Sequence, residues 1–370
     1  MAEKAKTTDL RFMRMALGLA RRGLGRTWPN PAVGCVIVQG GTVVGRGWTQ
    51  PGGRPHAETE ALGRAGAAAR GATAYVTLEP CAHHGKTPPC VDALIAAKVG
   101  RVVVALGDPD PRVDGKGITR LKAAGIAVDT GVGETEAAEL NRGFILRLTE
   151  NRPLITLKLA TTLDGRIATQ HGESQWITGD LARTYAHALR ANHDAVMIGS
   201  GTAVADNPKL TCRLPGMAGW SPVRVVLDGR LRLPLTHTLV SDARAVRTIL
   251  LTLGGNRHDR LHAYKDCGVE VVEIAHDANG NPDLREALAA LAARGLTRVL
   301  VEGGATLAAS FMSQDLIDGL VWFRAATLIG GDGVPAVAGF GVDALSDSKR
   351  FVMIDTRAAG ADMMETYVRA

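Results

Sequence analysis

The sequence predicts an α/β protein that is divided into two unlike domains. Short apolar runs alternate with segments whose apolar residues recur at helical spacing, which is typical of layered α/β folds. At 370 residues, the chain is also longer than most single domains. Segment 148–153 is polar and ends in Pro153, immediately before a new apolar run. We therefore predict one domain over 1–147 and a second, unrelated domain over 148–370.

The composition is that of an ordinary soluble globular protein. Apolar residues make up 46% of the chain and charged residues 22%. No apolar run is long enough to cross a bilayer, and the first residues lack the apolar core of a signal peptide, so we expect a cytoplasmic protein with no membrane partner. The net charge of +6 favours anionic ligands such as phosphates, while the dispersed basic residues argue against nucleic acid. We also expect a homo-oligomer, although no sequence pattern fixes the oligomeric state.

Helix and turn signals organise the first domain. Thr8 or Asp9 is predicted to cap an amphipathic helix near the start of the chain. Residues 39–42 separate two apolar runs and predict a hairpin. Further helices are predicted over about 56–70 and directly after the pair Pro88-Pro89.

The second domain is predicted to contain a mostly parallel sheet. Its first strand is expected over 153–160, followed by a helix over 180–191. Its last strands are expected over 319–331 and 362–368. No G-x-G-x-x-G fingerprint follows the first strand, so a Rossmann domain is not indicated.

A zinc site is the sharpest chemical signal in the sequence. Catalytic zinc needs three protein ligands and a fourth position open to water, and His56, Cys81 and Cys90 can supply the three. Cys90 follows Pro88-Pro89 at a helix start, where free backbone N–H groups stabilise a thiolate. Glu58 lies two residues after His56, so its carboxylate can take a proton from activated water and pass it to a substrate. This order of residues is the signature of zinc-dependent nucleobase deaminases.

The spacing of the cysteines leaves alternatives open. Eight residues separate Cys81 from Cys90, whereas the general deaminase signature has two. The cysteines could be buried structural residues, or His83 or His84 could complete a structural zinc site with four protein ligands. In the second case Glu58 would have no catalytic role.

Three segments of the first domain and four of the second resemble one bifunctional deaminase–reductase family of riboflavin biosynthesis. The first three are 27–34 (TWPNPAVG), 56–58 (HAE) and 78–90 (LEPCAHHGKTPPC), the last with the family's long cysteine spacer. The other four are 157–168 (LKLATTLDGRIA), 174–179 (SQWITG), 199–213 (GSGTAVADNPKLTCR) and 301–307 (VEGGATL). The resemblance covers nearly the whole chain in the same domain order.

The resemblance implies two folds and two reactions. It implies a cytidine-deaminase-like three-layer domain followed by a dihydrofolate-reductase-like domain. The first would deaminate 2,5-diamino-6-ribosylamino-4(3H)-pyrimidinone 5′-phosphate hydrolytically, using Zn²⁺. The second would reduce the ribosyl side chain to a ribityl chain, using NADPH.

The resemblance also implies binding residues. The deaminase substrate would contact Asn30, His83 and Lys86. NADPH would contact Ala160, Trp176, Thr202, Asp206, Gly304, Ala305, Thr306, Leu307, Ala308, Ala309 and Ser310. The reductase substrate would contact Ser174, Arg190, Leu210, Arg213 and Glu302. Two Gly-rich turns, at 199–202 and 303–306, agree with pyrophosphate binding because they offer backbone N–H groups after apolar strands.

Two other functions compete with this interpretation. The first is a zinc deaminase of cytidine or of tRNA adenosine joined to an unrelated oxidoreductase. The second is a basic α/β binding protein with a structural zinc. No general acid stands out in the second domain, and that role is left open.

Overall fold

The chain forms two compact units that divide after Asn151. The computed structural model describes the backbone of residues 2–85 and 87–370 and, within these ranges, the side chains from residue 7 onward. The sequence placed the boundary after residue 147, whereas the last helix of the first unit continues to Thr149. No helix within the described ranges is long and apolar enough to cross a membrane.

The first unit contains a five-stranded sheet with helices on both faces. Its strands are β1 (Gly34–Gln39), β2 (Thr42–Trp48), β3 (Thr73–Val76), β4 (Arg101–Val104) and β5 (Ala127–Thr130). Its helices are α1 (Ala2–Ala20), α2 (Ala57–Ala65), α3 (Cys90–Ala96), α4 (Lys116–Ala123) and α5 (Glu134–Thr149). The strand order is β2-β1-β3-β4-β5, with β1 antiparallel to both neighbours and β3, β4 and β5 parallel.

Two apolar cores make this unit three layers thick. Helices α1 and α5 pack on one face of the sheet, with Phe12 and Leu140 in that core. Helices α2, α3 and α4 pack on the other face, with Ala61 and Leu94 in the second core. The alternation of β1 explains the division, since Val36 faces the first core and Ile37 the second.

Small residues let α2 approach the sheet closely. A Cβ atom at Gly47 would lie 2.2 Å from the carbonyl oxygen of Ala57, and one at Gly45 would lie 2.3 Å from that of Ala61. Glycine in β2 therefore fixes the position of α2, the helix that begins beside His56.

The predicted cap of α1 is wrong. The helix begins at Ala2, so Thr8 and Asp9 lie inside it. Asp9 is buried and accepts hydrogen bonds from the Tyr75 hydroxyl (2.7 Å) and the Arg101 guanidinium (2.7 Å). Its carboxylate is satisfied by residues 66 and 92 positions away, and local helix-capping patterns carry no information about such contacts.

The second unit is built on a nine-stranded sheet and a separate two-stranded ribbon. Its strands are β6 (Leu154–Thr161), β7 (Arg166–Ala168), β8 (Ala195–Gly199), β9 (Val223–Leu227), β10 (Thr248–Leu253), β11 (Glu270–Ile274), β12 (Arg298–Glu302), β13 (Gly319–Arg324), β14 (Val334–Pro335), β15 (Phe351–Ala359) and β16 (Asp362–Arg369). Its helices are α6 (Asp180–Ala191), α7 (Ser200–Asp206), α8 (Thr238–Ser241), α9 (His258–Asp266), α10 (Leu284–Ala293) and α11 (Ala305–Ser313).

The predicted mostly parallel sheet is confirmed. Its order is β11-β10-β9-β8-β12-β6-β13-β16-β15, and all pairs from β11 to β13 are parallel. The last two strands run antiparallel and form a hairpin at the edge. Strands β8, β12 and β6 lie in the middle, which explains why they read as continuous apolar runs.

Several elements differ from the sequence prediction, among them β7, α7 and α8, which were not predicted. The strand predicted over 319–331 ends at Arg324, and the ribbon strand β14 lies further on. Helix α9 was missed because its sequence is polar and buries only Leu261 and Tyr264. Strand β15 was missed because most of its residues are exposed, so no buried alternation marks it.

Candidate metal centre and reductase site

Three potential metal ligands converge in the first unit. The His56 Nδ1 atom lies 3.2 Å from the Cys90 Sγ atom and 3.6 Å from the Cys81 Sγ atom. All three ligand atoms lie within 4.8 Å of one another. Tetrahedral zinc bonds of 2.0–2.3 Å would hold such atoms roughly 3.5 Å apart. The three side chains therefore fit a zinc ion.

Two of the three ligands lie at helix starts. His56 directly precedes α2, and Cys90 is the first residue of α3 after Pro89. The Cys90 backbone N–H donates a hydrogen bond to the Cys81 sulfur (3.3 Å). The Cys90 thiol and then His56 stabilise the thiolate, which lowers the pKa of Cys81 to about 4. Cys81 is thus prepared to bind a metal as a thiolate.

Neither His83 nor His84 joins this cluster. Within the described part of the chain, the group of potential ligands contains only His56, Cys81 and Cys90. The Nδ1 atom of His83 is buried and has no hydrogen-bond partner among the described residues. A zinc ion held by three protein atoms keeps a fourth position for water, as catalytic sites require.

Glu58 lies in the first turn of α2 and is only 3% exposed. Burial, followed by the negative charge of Cys81, raises its pKa to about 7. A carboxyl group with a pKa in this range can both accept and donate a proton near neutral pH.

A cavity of about 430 Å³ opens onto these residues. Its walls include the predicted site residues Asn30, His56, Glu58, Cys81 and His83. The Asn30 side-chain amide donates to the carbonyl oxygen of Gly53 (3.0 Å). A Cβ atom at Gly53 would lie 1.9 Å from that amide nitrogen, so only glycine allows this contact. The predicted contact Lys86 lies outside the described residues.

The cavity also contains charged residues that the sequence interpretation missed. They are Arg54, Glu79, Asp108, Asp110, Arg112 and Arg147. The two aspartates follow the end of β4, where polar side chains after an apolar strand could have indicated a site. The arginines lie on separate segments, and no local motif connects them.

Glu79 connects the segment after β4 to the segment that carries Cys81. Its carboxylate accepts hydrogen bonds from the backbone N–H groups of Gly115 and Ile118, each at 3.1 Å. A Cβ atom at Gly117 would lie 2.2 Å from the carbonyl oxygen of Pro80. Glu79 and Gly117 therefore hold the segment after β4 against the chain that carries Cys81.

In the second unit, an ion pair joins two predicted substrate contacts. The Arg190 Nε atom lies 2.6 Å from Glu302 Oε1, and its Nη2 atom lies 2.8 Å from Oε2. Burial acts against ionisation of Glu302, but the Arg190 charge prevails and holds the pKa of Glu302 at about 2. The third nitrogen, Nη1, donates to the Thr211 carbonyl oxygen (3.1 Å). Arg190 is thus occupied by protein groups.

A half-buried lysine beside this pair was also missed. Lys158 lies on β6, and burial lowers the pKa of its ammonium group while the charge of Glu302 opposes the change. Its Nζ atom lies 5.7 Å from the centre of the Phe323 ring. A buried amine with a lowered pKa is a candidate proton donor, because it releases its proton more readily than an exposed lysine.

The two Gly-rich turns meet in the structure. A Cβ atom at Gly304 would lie 3.1 Å from the Thr202 hydroxyl oxygen, and one at Gly303 would lie 3.2 Å from the Thr202 methyl group. Both glycines have positive φ angles, +91° and +79° in chain order. Helix α11 begins immediately afterwards, so its first N–H groups face this junction. The arrangement fits a dinucleotide phosphate.

The remaining predicted contacts are spread over the second unit. Within the run from Gly304 to Ser310, the residues Leu307, Ala308 and Ala309 are buried in the core, whereas Gly304, Ala305, Thr306 and Ser310 are accessible. Trp176 is 67% exposed and stacks under the Arg183 guanidinium at 4.6 Å.

Five other predicted contacts lie on separate segments of this unit. Ala160 lies on β6, and Asp206 is the last residue of α7. Ser174 is half-buried, Leu210 is buried and Arg213 is exposed. No hydrogen bond or ion pair between described atoms joins any two of these five.

The folds and the zinc-ligand cluster define a class of protein, a zinc-dependent deaminase domain followed by a reductase domain. Residues 6–106 match the family described as the cytidine and deoxycytidylate deaminase zinc-binding region. Residues 153–364 match the RibD C-terminal domain. The chain belongs to the RibD family of riboflavin biosynthesis proteins.

Full-length relatives support this assignment. The riboflavin biosynthesis protein RibD of Bacillus amyloliquefaciens is 41% identical over 360 residues, which cover 96% of this chain and 95% of the relative. The Escherichia coli protein of the same name is 40% identical, with 96% and 98% covered. A solved structure of Acinetobacter baumannii RibD has a TM-score of 0.89 at 39% identity and covers 99% of each chain. The predicted cytidine-deaminase-like and dihydrofolate-reductase-like folds are confirmed.

A second solved structure carries a title that names two activities. It is a Thermotoga maritima protein with a TM-score of 0.86 at 35% identity, covering 99% of this chain and 100% of that one. Its title reads diaminohydroxyphosphoribosylaminopyrimidine deaminase/5-amino-6-(5-phosphoribosylamino)uracil reductase.

Proposed function

We propose that the first unit deaminates 2,5-diamino-6-ribosylamino-4(3H)-pyrimidinone 5′-phosphate and that the second reduces the ribosyl chain of the product with NADPH. The observation that carries the first step is a buried glutamate beside three zinc-ligand atoms at the wall of one cavity. Membership of the RibD family gives the pathway, riboflavin biosynthesis.

For the deaminase, His56, Cys81 and Cys90 would hold zinc, which when bound provides a nucleophile from water near neutral pH. Glu58 takes one proton from the attacking water and gives it to the ring nitrogen, and it then takes the remaining proton from the new hydroxyl group and gives it to the departing amine. A carbon–oxygen bond forms, the carbon–nitrogen bond breaks, and ammonia leaves. Asn30 and His83 orient the pyrimidine, and Lys86 is assigned to the same task from its sequence position.

For the reductase, NADPH would lie against the junction of Thr202 and Gly304, with further contacts from Ala160, Trp176, Asp206 and the accessible part of α11. The cofactor provides a hydride. Ser174, Leu210 and Arg213 would contact the substrate together with the pair Arg190–Glu302. Since Arg190 is held by Glu302, the exposed Arg213 is the better group for the substrate phosphate. Lys158 supplies the proton that accompanies the hydride.

The test is a two-stage assay on the purified chain. Ammonia release is measured with the diaminopyrimidine phosphate and, in parallel, with cytidine, and NADPH oxidation is then followed in the first mixture. We expect ammonia from the diaminopyrimidine phosphate alone, followed by NADPH consumption. Ammonia from cytidine alone would contradict the proposal.

The expected homo-oligomer and the cytoplasmic location belong to this proposal as well. Strand β15 lies at the edge of the nine-stranded sheet, and its Val352, Met353 and Ile354 are more than half exposed, which supports association of two chains there. All five cysteines are free, which suits a reducing compartment. Sedimentation of the purified chain as a monomer at micromolar concentration would contradict the oligomer.

A further inference from the structure

The deaminase cavity contains guanidinium groups that the zinc chemistry does not use. Arg54, Arg112 and Arg147 all line it, together with His83. None of the three arginines lies in the zinc-ligand cluster. The proposed reaction takes place at the pyrimidine ring, so these guanidinium groups are available for another part of the substrate.

Arg112 is already held in place by a carboxylate. Its Nε atom lies 2.9 Å from Asp110 Oδ1, and its Nη2 atom lies 2.5 Å from Asp110 Oδ2. Its side chain is nevertheless 68% exposed, so the outer edge of the guanidinium stays accessible. Asp110 therefore orients Arg112 without enclosing it.

Arg147 has no such partner. Its Nε atom is buried and forms no hydrogen bond with the described residues. Burial lowers the pKa of its guanidinium, the charge of Asp110 acts against this, and the charge of Arg112 adds to it. Arg112 thus has the Asp110 carboxylate as its partner, whereas a buried donor of Arg147 stays unsatisfied in the same cavity. A buried donor without a partner is unfavourable unless a ligand supplies the acceptor.

Arg147 and Arg54 have different charged neighbours in this cavity. The charged neighbours of Arg147 are Asp110 and Arg112, whereas the charge of Arg54 acts on the ligand His56. The Arg54 guanidinium also lies beside the cysteine spacer, 3.4 Å from where a Cβ atom of Gly85 would be. Arg54 therefore lies near the metal ligands, whereas Arg112 and Arg147 line the same cavity and are not among the charges that act on His56.

We infer that Arg147, with Arg112 beside it, forms the subsite for the 5′-phosphate of the deaminase substrate. This inference rests on the proposed function. Guanidinium groups bind phosphate oxygens with paired hydrogen bonds, and a phosphate oxygen supplies the acceptor that the buried Nε atom of Arg147 lacks. Phe144 lines the cavity one helical turn before Arg147, so helix α5 presents an apolar contact and a phosphate contact on the same face.

The experiment compares Arg147→Gln with the matched control Arg142→Gln. Arg142 lies on the same helix, does not line the cavity and is near Glu139 at 3.9 Å. With the phosphorylated substrate, Arg147→Gln should raise KM ~10- to 100-fold with little change in kcat, since a charged hydrogen bond is lost. With the dephosphorylated substrate, wild type and Arg147→Gln should have the same KM. Arg142→Gln should behave as wild type with both.

A binding measurement provides a readout that does not depend on deamination. Ribose 5-phosphate and inorganic phosphate are titrated into the zinc-loaded full chain by calorimetry. We expect ribose 5-phosphate to bind wild type and Arg142→Gln at two sites, this subsite and the Arg213 contact proposed for the reductase, whereas Arg147→Gln should bind it at this subsite at least tenfold more weakly. If inorganic phosphate binds tightly and ribose 5-phosphate does not, the phosphate site does not serve the substrate. That result would overturn the inference.

Failure of this inference is distinguishable from failure of the proposed function. If wild type releases no ammonia from the diaminopyrimidine phosphate, the proposed function fails. If wild type is active and Arg147→Gln keeps its KM and its preference for the phosphorylated substrate, only the phosphate subsite is wrong. If Arg147→Gln does not fold, Arg112→Gln takes its place and should give the same change in KM, and an unchanged KM there would overturn the inference equally.

Discussion

The two units hold their buried charges in different ways. In the second unit, Glu302 and Arg190 neutralise each other through two short hydrogen bonds. In the first unit, Glu58 is buried without an ion pair, and the Arg147 Nε atom has no partner within the described ranges. The comparison teaches that the deaminase cavity leaves buried polar groups for a metal or a substrate to pair, whereas the pair Arg190–Glu302 is complete within the protein. Where two buried charges already pair with each other, the protein has fixed the local charge distribution before the substrate binds.

The largest expected effect separates the two units. Cys81→Ser removes a thiolate ligand, so zinc affinity and deamination should fall below detection. NADPH oxidation with substrate that has already been deaminated should continue at the wild-type rate, because the units have separate cores. Both rates and the zinc content are measured on the same preparation. Loss of both activities would show that the units depend on each other for folding.

The ion pair between Arg190 and Glu302 in the second unit predicts the second-largest effect. Arg190→Gln leaves Glu302 buried without its partner, which costs about 3–5 kcal/mol of stability for a buried pair. NADPH oxidation should fall strongly while deamination stays unchanged. The matched control is Arg294→Gln, which breaks the half-exposed pair of Arg294 with Glu270 and should cost at most about 1 kcal/mol. Equal losses in denaturant titrations of the two variants would refute this contrast.

A buried histidine predicts a smaller effect that depends on pH. His193 is buried, hydrogen-bonds to Leu189 O (2.7 Å) and Thr156 Oγ1 (3.0 Å), and has its pKa lowered by burial from 6.5 to about 4. The unfolded state therefore binds the proton more readily. The stabilisation is complete above about pH 6.5 and is lost as the pH falls toward 4, by at most about 3 kcal/mol.

The measurement is the free energy of unfolding of the second unit as a function of pH. His193→Gln should flatten the curve between pH 6.5 and 4, whereas the exposed His171→Gln should leave it unchanged. A curve for His193→Gln as steep as that of the wild type would show that other groups cause the dependence.

The sequence predicted those features that local patterns encode. The hairpin at 39–42, the mostly parallel second sheet and the convergence of His56, Cys81 and Cys90 each follow from periodicity or from a motif with a chemical reason. The zinc-binding character and the family are confirmed by the matching families and relatives. The individual assignments of site residues stay predictions.

The rest depends on contacts between distant segments. Arg112 and Arg147 line the same cavity although no motif joins them, and Arg101 reaches Asp9 across 92 positions. Glu302 pairs with Arg190 across 112 positions. Such contacts are fixed by the order of strands in the sheet and by helix packing, so a pattern read along one segment cannot reveal them.

The central claim is that Glu58 transfers the proton in deamination and takes no part in metal binding. Its most direct test measures zinc content, ammonia release and NADPH oxidation for Glu58→Gln, with Glu60→Gln as the matched control on the same helix. We predict that Glu58→Gln keeps one zinc ion and full reductase activity and loses deamination by about 10²- to 10⁴-fold, while Glu60→Gln is unchanged. A wild-type rate of ammonia release from Glu58→Gln, or loss of its zinc, would contradict the account.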